Sequence, residues 1–139
     1  MAKLLTLLNI LIMPKDYSVE LNEYLHTDEI KCKCSRKQCH FTLVAQETID
    51  SFYRSRLAVG LPLKVNSWFR CQEHNKAVGG IDESSHTTGL AVDVRKFYEP
   101  ANNKKLKKAL EANFDVVIEY YTFFHCHNEP DQVKGGICA

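Results

Sequence analysis

The chain has 139 residues, of which 45% are hydrophobic and 25% are charged. This is the composition of an ordinary globular domain, and the length allows a buried core without disulfide staples. Eighteen basic and seventeen acidic side chains give a formal net charge of +1, which excludes a strong overall field for nucleic acid or anionic lipid. We therefore expect a single domain over residues 1–139 with no nucleic-acid partner.

The first predicted element is the apolar run from Leu4 to Met13. One lysine precedes it, as in a signal peptide, but Asn9 interrupts it and no small-x-small cleavage site follows. It is also shorter than the about 20 apolar residues that a membrane-spanning helix needs. The run is interpreted as a strand or helix of the domain, with an uncleaved export signal as the alternative.

A loop rich in cysteine follows, containing Cys32, Cys34, Cys39 and His40. This Cys-x-Cys-x4-Cys-His pattern is compatible with a structural zinc, although it lacks the paired Cys-x-x-Cys spacing of a strong zinc signature. Disulfides to Cys71, Cys126 or Cys138 are an equal alternative, and free thiols are a third. The sequence leaves these alternatives open, and with them the redox compartment.

The remaining elements mix helices and strands without regular alternation. Apolar periodicity predicts helices over 42–59, which ends at Gly60, and over the lysine-rich segment 102–112. A turn is predicted at Gly79-Gly80. Strands are predicted over 63–69, 90–94, 116–121 and 122–127, the last two as one bent strand or a tight pair. This order predicts an α+β fold with an antiparallel sheet and flanking helices.

Two segments carry side chains that suit a catalytic metal. His86 and Asp93 lie seven residues apart around Gly89, and His125 lies in a late predicted strand. Two imidazoles and one carboxylate are the ligand set of an open catalytic zinc site, where a fourth position is left for water. Glycine lets the backbone turn between the first two ligands without a steric penalty. The residues therefore point to a metallohydrolase.

Glu119 is a nearby carboxylate outside this ligand set and is the candidate general base. It precedes His125 by six residues, so both side chains would lie on one face if they shared one extended segment. His127 has the same parity and is an alternative third ligand. Each residue alone has an ordinary interpretation as a solvated or hydrogen-bonded side chain, and only the joint pattern favours a site.

The motif Ser84-x-His86-x-x-Gly89-x-Ala91-x-Asp93 resembles the signature of the M15 zinc peptidases. That family includes D-alanyl-D-alanine carboxypeptidases, D-Ala-D-Ala dipeptidases and phage endolysins. The segment 65–80 is similar to the branch related to the Streptomyces-type carboxypeptidase, and Phe124-His125 resembles the closing zinc-ligand motif. The similarity covers about residues 28–128, preceded by an extension (1–27) that we expect to pack on this core.

The resemblance implies a hedgehog/DD-peptidase-like fold and a role for each matching residue. The zinc ligands would be His86, Asp93 and His125. Arg70 would bind the substrate carboxylate or the oxyanion, a task suited to its forked guanidinium. Ser84 would hydrogen-bond near the metal or the substrate, and Glu119 would activate the water. The cofactor implied is Zn²⁺.

The chain departs from the family pattern at two positions. Many members carry the base three residues before the last ligand, where this chain has Thr122, and His127 replaces the closing aspartate. The six-residue spacing from Glu119 to His125 instead resembles hedgehog signalling domains, as does the ending His125-Cys126 followed by Gly-Gly-Ile-Cys138. A non-catalytic, zinc-containing binding domain is therefore the alternative to an enzyme.

The function that the resemblance implies is zinc-dependent hydrolysis of peptide bonds in peptidoglycan stem peptides. The bond cut is either that of a D-Ala-D-Ala carboxypeptidase or that of an endopeptidase of the endolysin type. The partner would be a peptidoglycan peptide, without a membrane span and with a monomer as the default. Such an enzyme is encoded by a phage and reaches the host wall, or belongs to the bacterial envelope or is secreted.

Overall fold

Helices and strands are irregularly interspersed along residues 9–129, the part of the chain that the computed structural model describes. The strands in this part are β1 (Ile10–Pro14), β2 (Glu20–Asn22), β3 (Leu25–His26), β4 (Phe41–Ala45), β5 (Val65–Ser67), β6 (Ala91–Arg95), β7 (Val116–Glu119) and β8 (Phe123–His127). The helices are α1 (Gln46–Val59), α2 (Gln72–Ala77) and α3 (Pro100–Asn113), with short 3-10 turns at Thr27–Glu29 and Ser85–Thr88. The predicted α+β class with antiparallel sheets is confirmed.

The largest sheet has four antiparallel strands in the order β5-β6-β8-β7. Its central pair, β6 and β8, places Asp93 opposite His125 and Val94 opposite Phe124. β8 also pairs with β7 along its other edge, where Ile118 lies opposite His125. Because directly paired residues share a face of the sheet, this register determines which side chains meet.

The two faces of this sheet differ in character. One face carries fully buried apolar side chains, including Val92, Val94 and Phe124. They belong to one hydrophobic cluster with side chains of α1 and α3, among them Phe52 and Leu106. Asp93, His125 and His127 alternate with these residues along β6 and β8 and lie on the opposite face. The sheet thus separates a hydrophobic core from a polar cluster.

Two smaller antiparallel pairs complete the sheets. β1 pairs with β4 from Ile10 opposite Ala45 to Pro14 opposite Phe41, and β2 pairs with β3. The predicted N-terminal run therefore contributes a strand of the domain over its last residues, whereas residues 1–8 lie outside the described part. Nothing longer than α1 or α3 occurs among residues 9–129, and no helix there is long and apolar enough to span a membrane.

The predicted boundaries of some helices and strands differ from those in the structure. The helix predicted over 42–59 begins at Gln46, because Thr42–Ala45 is extended and hydrogen-bonded to β1. The strand predicted over 63–69 is limited to Val65–Ser67, whereas the helix predicted over 102–112 runs from Pro100 to Asn113. The two late segments form a tight pair, with a turn at 120–122 between them.

Gly89 is required by both its backbone conformation and its surroundings. It ends the turn Ser85–Thr88 with φ +76°, and a Cβ there would overlap the carbonyl oxygen of Leu43 on β4. Gly60, at the end of α1, has φ +75° but no atom within 4 Å of such a Cβ. An alanine at position 60 would therefore meet backbone strain alone, whereas an alanine at position 89 would meet both backbone strain and steric overlap.

Gly60→Ala is expected to destabilise the fold by about 1–2 kcal/mol, the strain of a left-handed alanine. Gly89→Ala is expected to lose at least about 3 kcal/mol, because backbone overlap with β4 adds to the same strain. Denaturant unfolding of both variants beside the parent chain measures the difference. Equal losses would show that β4 moves aside and that the close approach at Gly89 has no energetic consequence.

Candidate metal centre

Two histidines and one aspartate converge on the polar face of the four-stranded sheet. Asp93 Oδ1 lies 3.2 Å from His86 Nε2 and 3.0 Å from His125 Nδ1. One nitrogen or oxygen of each residue lies within 4.8 Å of the others. Bonds of about 2.0–2.1 Å to one tetrahedral zinc would place such atoms about 3.3 Å apart. The three side chains are therefore spaced as ligands of a single ion.

His86 is buried, with 1% of its side chain exposed, and its ring is oriented by the backbone. Its Nδ1 lies 2.6 Å from the carbonyl oxygen of Trp68, which accepts only, so Nδ1 carries the proton and donates it. The Nε2 lone pair then faces the carboxylate of Asp93. A contact of 3.2 Å between these two atoms requires a proton or a metal ion between them, so the pair can act as a hydrogen bond or as two metal ligands.

The turn that carries His86 is held at both ends. Ser84 Oγ accepts a hydrogen bond from the backbone N–H of His86, and Ser84 O accepts one from Thr87 N. The carbonyl of His86 accepts from the N–H of Arg70 at 3.0 Å. Ser84 was predicted to act near the metal or the substrate. In the structure it directly precedes the turn, and its hydroxyl holds the backbone of His86.

Asp93 remains ionised in spite of its position. Burial is the largest influence and opposes ionisation, but hydrogen bonds with His125 and His86 outweigh it and bring the pKa of Asp93 to about 2. The second carboxylate oxygen, Oδ2, lies 3.6 Å from a guanidinium nitrogen of Arg70. An anionic ligand is thus available at neutral pH.

Arg70 borders the cluster and is held by two further side chains. Its Nε donates to Ser67 Oγ at 3.2 Å, and one terminal nitrogen donates to Asn75 Oδ1 at 2.9 Å. Asn75 is buried and donates in turn to the carbonyl of Ile81 at 2.7 Å. A Cβ on Gly80 would overlap the Asn75 side chain and lie 3.0 Å from Arg70, so this residue allows the close approach. The guanidinium is therefore fixed beside Asp93.

The alternative third ligand, His127, lies behind His125. His125 Nε2 is 2.8 Å from His127 Nδ1, and His127 Nε2 is 3.5 Å from a carboxylate oxygen of Glu129. Among the described residues, the group whose atoms converge contains His125 and not His127. The structure therefore places His127 and Glu129 as neighbours that orient and polarise the ring of His125.

The structure does not bring Glu119 into this cluster. Its register partner is Phe124, on the hydrophobic face, and its carboxylate contacts Lys96 at 2.7 Å and Lys107 at 3.3 Å. Glu119 and His125 were expected to share a face only if they lay in one extended segment, and this condition is not met, because the turn at 120–122 separates them into two paired strands. Hydrogen bonds from the two lysines lower the pKa of Glu119.

Sequence reasoning missed the residues that orient the cluster. The carbonyl of Trp68 carries no side-chain signal, since any residue supplies the same acceptor. Asn75 lies in the segment that resembled the family, but its contact with Arg70 depends on the fold. Glu129, two residues after His127, follows the same alternation and was open to detection by that pattern.

The structure also gathers the predicted cysteines. The sulfur atoms of Cys32, Cys34 and Cys39 lie within 4.8 Å of one another and of Cys71. The sequence pattern suggested His40 as the fourth member of this group, but in the structure the fourth member is Cys71. Each of the five cysteines among residues 9–129 is a free thiol in the structure, and Cys126 is buried in the hydrophobic core. Cys138 lies outside the described residues.

Comparison with known families decides the relationship that the motif indicated. The sequence model of the family described as Peptidase M15 matches residues 23–127. The chain belongs to the peptidase M15 family. In this M15 peptidase the matched segment contains the converging His86, Asp93 and His125 together with Arg70, Glu119 and the four clustered cysteines. No curated protein and no solved structure matches the chain.

Proposed function

We propose that this M15 peptidase is a zinc-dependent enzyme that hydrolyses peptide bonds in peptidoglycan stem peptides. The observation that supports it most is the convergence of His86, Asp93 and His125 on one polar face of the sheet, within a matched peptidase domain. Three nitrogen and oxygen donors are the number that catalytic zinc sites use, whereas structural sites use four. The donor set thus leaves a coordination position for reacting groups.

His86, Asp93 and His125 would hold the ion, with the Trp68 carbonyl and His127 fixing the two rings. When bound, zinc would supply Lewis-acid catalysis, polarising a carbonyl and lowering the pKa of a water molecule. Asp93 contributes the negative charge that two neutral imidazoles lack. Arg70 is held 3.6 Å from this carboxylate, so its remaining N–H groups can donate to a substrate oxygen beside the ion.

A cavity of about 300 Å³ adjoins Arg70 and suits an anionic group. Its lining includes Lys33, Ser67 and His74 in addition to Arg70. Stem peptides end in a free carboxylate, and a guanidinium and an ammonium group in the lining would bind it. We therefore propose that the peptide lies with a carboxylate at this cavity and its scissile carbonyl at the metal-ligand cluster.

Glu119 is proposed as the general base that the family motif implies. In the structure its carboxylate binds Lys96 and Lys107, so it must leave these lysines before it can accept a proton at the cluster. The exposed pair with Lys107 contributes little, and catalytic contacts often form only when substrate binds. Because Glu119 lies on the face opposite to His125, at the last residue of β7, this role requires the strand end and the adjacent turn to rearrange when substrate binds.

The proposed activity is tested by digesting purified peptidoglycan with the full chain, with and without prior removal of metal by a chelator. We expect zinc-dependent release of fragments, which mass spectrometry assigns to one bond. Release of D-alanine would identify a carboxypeptidase, and cleavage inside the stem an endopeptidase. A zinc-loaded chain that cuts no wall preparation and no synthetic stem peptide would refute the proposal.

The second candidate is a binding domain that keeps the metal site without hydrolysis. The observation that favours it is the placement of Glu119 on the face opposite to His125. Binding of stem peptides by the zinc-loaded chain without any cleavage is the expected result for this candidate. Calorimetric titration and the digestion described above, performed on one preparation, separate the two functions.

A further inference from the structure

The cysteine cluster lies apart from the proposed catalytic residues and has its own geometry. Cys71 Sγ lies 3.7 Å from Cys32 Sγ and 3.7 Å from Cys34 Sγ. A disulfide needs sulfur atoms about 2.05 Å apart. Four sulfurs bound to one zinc at about 2.3 Å in a tetrahedron lie about 3.8 Å from one another. The observed separations match the second arrangement.

We propose that Cys32, Cys34, Cys39 and Cys71 form a second, structural site for a divalent metal of the zinc class. All four sulfur atoms lie within 4.8 Å of one another, so one ion can contact each of them. A closed set of four thiolates is the donor set of structural zinc and leaves no position for substrate. This site does not depend on the peptidase proposal.

The surroundings of the sulfurs are those that a thiolate needs. The backbone N–H groups of Cys71 and His74 donate to Cys32 Sγ and Cys71 Sγ, each at 3.4 Å. Lys15 Nζ lies 3.4 Å from Cys34 Sγ and donates to the Cys34 carbonyl at 2.9 Å. Four thiolates on a divalent ion carry a net charge of about −2, which these donors and this cation offset.

The site would connect parts of the chain that are far apart in the sequence. Three of the cysteines lie in the loop after the turn Thr27–Glu29, and Cys71 lies directly before α2. Lys15 follows β1 and also donates its backbone N–H to His40 at the end of that loop. Because Cys71 adjoins Arg70, a metal here would hold in place the segment that presents the guanidinium to Asp93.

The test uses the full chain purified under reducing conditions and loaded with Co²⁺. Thiolate ligands give charge-transfer absorption that nitrogen and oxygen ligands do not, so the spectrum reports this site and not the one at Asp93. We expect the thiolate band in the parent chain, its loss or marked change in Cys39→Ser, and its retention in His86→Ala. Cys126→Ala, which removes the buried thiol outside the cluster, is the matched control and is expected to keep the band.

Zinc content and thiol titration complete the test on the parent chain, so that it does not depend on a variant that folds. We expect a mercurial reagent to release one zinc as the four cluster thiols react, with Cys126 and Cys138 counted separately. Absence of the thiolate band in the cobalt-loaded parent would overturn the proposal. Mass spectrometry showing the four cysteines oxidised in pairs in the purified chain would do the same, since disulfides leave no thiolate donors. Loss of peptidase activity alone bears on the first site and leaves these readouts unchanged.

Discussion

Replacing His86 by alanine is expected to remove zinc from the proposed catalytic site and to reduce peptidase activity by at least about 1,000-fold. The side chain supplies one of three donors, and its Nε2 lies 3.2 Å from Asp93 Oδ1. A bound zinc contributes several kcal/mol to transition-state stabilisation, and each 1.36 kcal/mol is tenfold in rate. Metal analysis by mass spectrometry and a stem-peptide assay measure both effects.

His40→Ala is the matched control for this prediction. His40 is exposed and lies outside both converging groups, so its removal is expected to leave the metal content and the rate unchanged. Circular dichroism of both variants shows whether a loss of metal follows from unfolding. A folded His86→Ala chain that keeps the full zinc content of the parent would disprove the assignment of His86 as a ligand.

Replacing Glu119 by glutamine is expected to leave the metal bound and to lower kcat by about 100- to 10,000-fold, the usual contribution of a general base. Glutamine keeps the size and hydrogen-bonding capacity of the side chain but cannot accept the proton. The carboxylate is held by Lys96 and Lys107 in the structure, so this result would show that substrate binding redirects it. Steady-state kinetics and zinc content, measured on the same samples, provide the two readouts.

Glu129→Gln is the comparison that makes the result specific. Glu129 lies just beyond β8 and contacts His127, which is two residues from His125. If Glu119→Gln retains full activity, Glu119 is not the base and its pairing with Lys96 and Lys107 is structural; loss of activity in Glu129→Gln alone would show that the essential carboxylate is the one beside His127. If both variants bind zinc and neither the variants nor the parent cleave peptide, the binding-domain function gains support.

The chemistry of the candidate site could be predicted from the sequence because it is encoded in short, fixed spacings. Ser84, His86, Gly89 and Asp93 all lie within ten residues, where local geometry decides what can meet. Gly89 illustrates this, since glycine was expected to allow a turn between His86 and Asp93, and φ is +76° there. The pairing of this segment with His125 required only that two strands be neighbours, and β6 and β8 are.

Positions that depend on register or on distant partners could not be predicted in the same way. Even spacing in one extended segment would put the side chains of Glu119 and His125 on the same face. The turn at 120–122 divides this segment into two paired strands, and Glu119 then lies on the face opposite to His125. The start of α1 was misplaced because Thr42–Ala45 satisfies its hydrogen bonds with β1, more than 25 residues earlier. Helical spacing contains no information about that partner.

The sequence by itself determined the α+β class and the family, and it named the candidate donor residues, because motif spacing and hydrophobic periodicity are properties of neighbouring residues. Only the tertiary structure decided that Cys71 rather than His40 completes the cysteine cluster, and that Trp68 orients His86. It also decided that Glu119 contacts Lys96 and Lys107. These contacts join residues far apart in the chain, and their formation follows from strand pairing and core packing, which no local pattern specifies.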